Sequence, residues 1–227
     1  WVIPRRAVNA ARGPELWPRA RYTGGMRAAV VMVIFTVLRG ELVVLLIERA
    51  AEPAKGAWAL PGGLLIPAES LDGTAVRRLA DETGVSDVFL EQLFTFDQLG
   101  DGAAEIVVAY FALVDHARTR TRADLEWRPA WHPVRRLPPL AFANERIIAY
   151  AEQRLRNKLE YTNVVYSLLP PRFTLTEMQQ VYEAILGEAM DKRNFRRRVV
   201  GLGIVRETGQ TKKLGAHRPA MLYEFVK

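Results

Sequence analysis

The chain has 227 residues, a formal charge of +7 and no cysteine, with a pI near 9.9. That length suits two modest domains better than one, because domains typically run from about 50 to 200 residues. Without cysteine there are no disulfides, no thiol catalysis and no thiolate metal sites. The longest apolar run, Ala28 to Leu38, is shorter than the roughly 20 residues of a membrane span. No secretory leader pattern opens the chain, so a cytoplasmic protein away from any membrane is expected, and the positive charge points to a polyanionic partner.

Residues 1–25 are rich in Arg, Pro and Gly without a sustained period and read as a flexible basic arm or extension, either a disordered tail or an arm that reaches DNA. Trp1 stands where a Met would open a chain, and Met26 precedes the first strand. Ala28 to Leu38 and Glu41 to Glu48, joined by Arg39-Gly40, predict a buried β-hairpin. Trp58-Ala-Leu-Pro-Gly-Gly63 ends a short strand in a glycine turn. Ser70 or Asp72 caps a helix reaching about Glu82, with Gly84 as its stop. Phe89 to Phe96 and Glu105 to Val114 read as strands joined by the turn at 100–102. Asn144 to Leu159 forms a helix with Ile148, Ala151, Leu155 and Leu159 on its apolar side, and closes a first domain over 26–160.

A second domain over 161–227 starts with a short helix, Tyr161 to Leu169, stopped by Pro170-Pro171. Thr174 and Glu177 have capping-box spacing ahead of the stripe Leu175, Met178, Val181, Tyr182 and Ile185. A third helix begins near Asp191. Phe195, Val199 and Leu202 face inward, while Arg193 and Arg197 point to the opposite side. Ile204 to Thr208 and Ala220 to Val226 form a hairpin with Lys212, Lys213, His217 and Arg218 at its tip. From Asp191 to Arg218 nine basic residues face two acidic ones, a surplus as large as that of the whole chain.

The stretch from Gly63 to Val85 resembles the Nudix box: Gly63, Glu69, Arg77, Leu79, Glu82, Gly84 and Val85 match it, whereas Arg78 and Asp81 stand where the family has glutamates. The resemblance implies an α/β/α sandwich with a mixed sheet, and in Nudix hydrolases the box glutamates hold Mg²⁺ against a diphosphate. Positions 78, 81 and 82 share a helix face, and at roughly 4 Å with an effective dielectric of 20 each unit of charge is worth about 4 kcal/mol. A guanidinium at 78 therefore opposes a divalent ion. Arg78 is expected to pair with Asp81 or Glu82 and partly replace the metal, leaving no catalytic set in Glu69, Arg77, Arg78, Asp81 and Glu82. Alternatively Arg78 turns to solvent, and Asp81 and Glu82 bind Mg²⁺ weakly. Nucleotide binding can outlast the metal, with Arg49, Trp58, Gly63, Arg77, Glu82, Phe96 and Glu105 as candidate contacts. Core packing for Trp58 and Phe96, and an ion pair of Arg77 with Glu69 or Glu82, are the competing roles.

Three helices and a basic hairpin have the organisation of a winged helix-turn-helix. Arg193, Asn194 and Arg197 are candidate base readers, while Lys192, Arg196, Arg198, Lys212, Lys213, His217 and Arg218 suit phosphates. Trp58 to Gly63, Leu90 to Phe96, Phe173 to Glu177, Asp191 to Arg198 and Gly215 to Tyr223 are similar to the Nudix-related regulators of NAD metabolism, the NrtR type. That resemblance implies a homodimeric repressor of NAD-biosynthesis genes that binds double-stranded operator DNA and is released by a nucleotide such as ADP-ribose, with no cofactor required. Asp97-Gln-Leu-Gly-Asp-Gly102 is acidic where this family often has a basic loop. The rival readings are a Mg²⁺-dependent hydrolase of ADP-ribose or a related dinucleotide, and an RNA-binding or scaffold protein. The last lacks aromatic residues interleaved with the bases.

Overall fold

The computed structural model describes residues 27–66, 68–86, 88–97, 106–116, 119, 121, 126–159, 164–213 and 219–226. The arm at 1–25, Glu105, the turn at 100–102, His217 and Arg218 lie outside the described residues. Ala28–Leu38 (β1) and Glu41–Glu48 (β2) form the expected antiparallel hairpin, with Leu38 opposite Glu41. Arg39 at φ 51° and Gly40 at φ 78° are both left-handed, the turn geometry that matches strand twist in a two-residue hairpin. Trp58–Ala59 (β3) and Gly62–Leu64 (β4) flank the Pro61 turn and lead to the helix Leu71–Thr83 (α1). Ser70, and not Asp72, caps α1 by accepting from Gly73 N, and Gly84 ends it at φ 75°.

Glu91–Asp97 (β5), Ile106–Leu113 (β6) and Pro129–Pro133 (β7) complete a seven-stranded sheet. Its order is β3-β2-β1-β6-β5, with β4 also on β1 and β7 on β2. β1 and β6 run parallel and the other pairs antiparallel, so the sheet is mixed. The strand predicted from Phe89 starts only at Glu91. Val88, Phe89 and Leu90 do not pair with β6, and Phe89 is 82% exposed. β7 has no clear alternation in sequence and carries prolines at both ends, which an edge position tolerates.

Alternate residues of β1 feed two cores. Val30, Met32 and Ile34 pack with Ala75 and Leu79 of α1. Ala29, Val33 and Phe35 pack on the other face with Ile147, Ile148, Ala151 and Leu155 of Asn144–Lys158 (α2). The period-2 rule produces this division. A 3-10 turn, Val164–Leu168, lies where a short helix was expected, followed by Leu175–Leu186 (α3), Lys192–Gly201 (α4), Val205–Lys212 (β8) and Ala220–Phe225 (β9). Both bonds of the Thr174/Glu177 capping box are present, and Gly187 ends α3 at φ 78°. Leu202 corrects the expected stripe: it is 56% exposed, because α4 ends at Gly201 and the inward period stops with it. Met178, Ile185, Phe195 and Val199 belong to the same apolar cluster as Phe35 and Leu155, so the two halves share one continuous core.

Candidate effector pocket and nucleic-acid interface

The box helix divides its charged residues into two groups. Arg77 donates to both oxygens of Glu69, Nε to Oε1 at 2.7 Å and Nη2 to Oε2 at 2.7 Å, and Thr74 Oγ1 adds a third bond at 2.8 Å. These bonds hold the Glu69 carboxyl down at about 2. The bonds to Glu69 in turn raise the Arg77 guanidinium above its ordinary value. Arg77 also reaches Asp81 at 3.5 Å, and Asp81 is 62% exposed. This outer group ties the box loop to the helix, so Arg77 fills the ion-pair role.

The inner group centres on Glu82, whose side chain is 1% exposed. Gly62 N donates to its Oε2 at 2.7 Å, and Arg78 Nη1 lies 3.4 Å from its Oε1. Burial raises the Glu82 carboxyl to about 7, against the opposing effects of Gly62 N and of Arg78 and Arg49. Arg78 thus pairs with Glu82. Its guanidinium lies on Gly63, where a Cβ would come within 2.8 Å of Cζ and 2.9 Å of Nε. Arg78 Nε is buried with no hydrogen-bond partner among the described residues.

Arg49 stands beside this group. Its Nε donates to Pro53 O at 2.7 Å, and its guanidinium lies 4.8 Å from the Phe142 ring and 5.6 Å from that of Trp127. Burial lowers its basicity, which Glu82 opposes and Arg78 reinforces. Phe142 and Ala143 both have left-handed backbones, at φ 60° and 50°. Asn144 follows and accepts from Leu60 N at 2.8 Å, fixing the strand that carries the glycine turn. Trp127, Phe142 and Asn144 were missed by sequence reasoning. Only the position of Asn144 at a helix start hinted at any of them.

The two ring candidates, Phe96 and Trp58, take the core-packing role. Phe96 is buried on the α2 face and meets Phe94 and Tyr150 edge-on, at 5.2 and 5.6 Å between centroids. Trp58 packs against the same core and meets His132 edge-on at 4.4 Å. The rings over which Arg49 lies are Trp127 and Phe142 instead. Alternation along the strands sends Phe96 and Trp58 to the face opposite α1, which a count of aromatic residues cannot reveal. Glu105 lies outside the described residues.

The donor set does not fit the Mg²⁺ that a Nudix box ordinarily holds. Glu69 is committed to Arg77 and Thr74, Asp81 is turned to solvent beside Arg77, and Glu82 faces a guanidinium. Asp81 and Glu82, the pair named as weak ligands, stand apart, the first beside Arg77 and the second beside Arg78. Among the described residues no three His, Asp or Glu side chains converge as a metal site would need.

In the C-terminal half, Asp191 caps α4 through Asn194 N at 2.8 Å. Phe195 and Val199 anchor α4, while Lys192, Arg193, Asn194, Arg196, Arg197 and Arg198 are all exposed. Arg197 Nη2 donates to Asn194 Oδ1 at 2.9 Å, and Arg196 reaches Thr176 Oγ1 at 3.4 Å. Lys212 is tied to Glu177 Oε1 at 2.7 Å, joining the hairpin to the start of α3, whereas Lys213 is exposed. Burial works against the ionised Glu177, yet Lys212 and the Thr174 cap hold its carboxyl below the usual range.

A mixed-sheet sandwich with a box helix, joined through a common core to a unit of a 3-10 turn, two helices and a β-hairpin, defines a Nudix domain carrying a winged helix. The NUDIX domain family matches residues 26–151, and the NrtR DNA-binding winged helix domain matches residues 165–225. The chain belongs to the NrtR family. An ADPR responsive transcriptional repressor of Acinetobacter baylyi is 38% identical over 206 residues, 87% of this chain and 81% of the relative. Shewanella oneidensis NrtR, crystallised with a 27mer DNA, superposes with a TM-score of 0.76 at 34% identity, covering 88% of this chain and 93% of that one. The NUDIX domain of the same Shewanella protein, complexed with ADP ribose, gives 0.51 at 29% identity over 62% of this chain and 94% of that one.

Proposed function

We propose that this chain is a DNA-binding transcriptional repressor of NAD-metabolism genes that releases its operator when ADP-ribose occupies the Nudix half. The observation that carries this reading is the joint presence in one chain of the exposed arginines of α4, which packs with the core on the α2 face of the sheet, and the Arg49, Arg78 and Glu82 group beside α1 on its other face. Residues 26–160 form the effector half and 161–227 the DNA-binding half. Arg193, Asn194 and Arg197 read base edges, and the remaining cations of α4 with Lys213 hold phosphates. The names of the Acinetobacter and Shewanella relatives support DNA and ADP-ribose as partners.

In this reading the protein senses ADP-ribose without turning it over, which the pairing of Arg78 with Glu82 and of Arg77 with Glu69 supports. It acts as a cytoplasmic homodimer, whose two winged helices match the half-sites of a near-palindromic operator. An effector that weakens operator binding must itself bind DNA-free protein more tightly. The shared core lets a shift around α2 reach α3 and α4. Gel shifts at several salt concentrations test the reading: DNA from the protein's own gene neighbourhood should keep at least a thousandfold advantage over random duplex at physiological salt. Equal loss of both on adding salt would reduce the C-terminal half to a basic tail. Turnover of ADP-ribose with Mg²⁺ at about 1 per second or faster would favour the hydrolase instead.

A further inference from the structure

We infer that Arg78 takes the place of a metal cation in this pocket, its guanidinium binding the diphosphate of the effector directly, so that nucleotide recognition needs no divalent ion. The inference rests on the reading of the Nudix half as an ADP-ribose sensor and goes beyond it by naming the group that engages the phosphates. Buried donors in folded proteins almost always have a partner, and an orphan calls for an explanation. Arg78 Nε is such an orphan among the described residues. Its only ion pair among them, to Glu82 at 3.4 Å, is longer than the 2.7–2.9 Å typical of a strong charge-assisted bond.

The surroundings suit an anion. Gly63 has no side chain under the guanidinium, and a Cβ there would sit 2.8 Å from Cζ. The plane of Arg78 is thereby laid against the backbone of the glycine turn. Arg49 is near enough for its charge and that of Arg78 to act on each other, and it is held by Pro53 O and the rings of Phe142 and Trp127. Two guanidinium groups stand near one buried carboxylate, Glu82, with Glu52 also acting on Arg49 from outside. A diphosphate ester carries two negative charges and offers oxygens that match the planar fork of arginine. The other two box carboxylates are drawn away from Arg78, since Glu69 is taken up by Arg77 and Asp81 is exposed beside it.

Calorimetric titration of the full chain with ADP-ribose, in EDTA and again in excess Mg²⁺, tests this. The expected dissociation constant is the same in both buffers to within about twofold. Arg78→Ala should weaken binding in EDTA by about 10- to 100-fold, the usual effect of a hydrogen bond to a charged group. Arg78→Lys should restore part of that loss, and Gly63→Ala, which displaces the guanidinium without removing it, should also weaken binding. Thermal melts of each variant show that it folds. Binding that depends on Mg²⁺, or folded Arg78→Ala and Gly63→Ala proteins that bind like the wild type, would overturn the inference and leave the sensor reading intact. Wild-type protein that ignores ADP-ribose in both buffers would overturn the sensor reading, and the inference with it.

Discussion

Glu82 stores a measurable penalty in the fold. Its carboxyl titrates near 7 in the folded chain against an ordinary value of 4.5, chiefly because of burial. Below 4.5 it is protonated in both the folded and the unfolded chain and contributes nothing. Between the two values the folded chain holds the proton and the unfolded chain has lost it, so stability falls as pH rises, and above 7 the full cost is present. For a shift from 4.5 to about 7 the change between pH 5 and pH 8 comes to about 2.5 kcal/mol. Glu82→Gln removes the ionisation while keeping an oxygen for Gly62 N. Urea unfolding followed by tryptophan fluorescence at pH 5, 6, 7 and 8 should show the variant gaining on the wild type by that amount. The difference between the two proteins is the quantity to use, because half-buried His132, whose basicity is lowered by burial, gives an opposite slope below its ordinary value in both. A difference that stays constant over this range would mean that Glu82 is ionised throughout and that its contact with Arg78 outweighs burial.

Thr174→Ala removes one half of the α3 capping box and should cost about 1 kcal/mol in the same urea assay. Gly187→Ala places a Cβ on the Arg135 guanidinium and a side chain on a backbone at φ 78°, with an expected loss of about 1–2 kcal/mol. Arg197→Ala should lower operator affinity by about 1–3 kcal/mol and relax preference at one base pair, read by anisotropy on mutated duplexes. Lys213→Ala should weaken all sequences alike and reduce the salt slope by about 1.

The elements legible in sequence were those with strong local signals. The β1–β2 hairpin was marked by Arg39-Gly40, α1 by Ser70 and Gly84, and α3 by its capping box. The basic face of α4 followed from the spacing of Phe195 and Val199. Long-range pairing set the rest. β7 is a strand because β2 offers an edge to Trp131 and His132, and nothing within Pro129–Pro133 announces it. Phe89 has strand-forming character but no partner strand. The pocket was half readable: the box spacing located Arg78 and Glu82 on one face, while the rings around Arg49 come from residues 78 and 93 positions later in the chain. For Trp58 and Phe96 the sequence left core packing and ligand contact both open, because aromatic type carries no information about which face of a sheet a residue will occupy.

Coupling between the halves is the central claim, and fluorescence anisotropy on operator DNA from the protein's own gene neighbourhood tests it most directly. Saturating ADP-ribose should weaken operator binding by about 5- to 150-fold, and bound operator should weaken ADP-ribose by the same factor. Operator affinity that is identical with and without ADP-ribose would contradict the account.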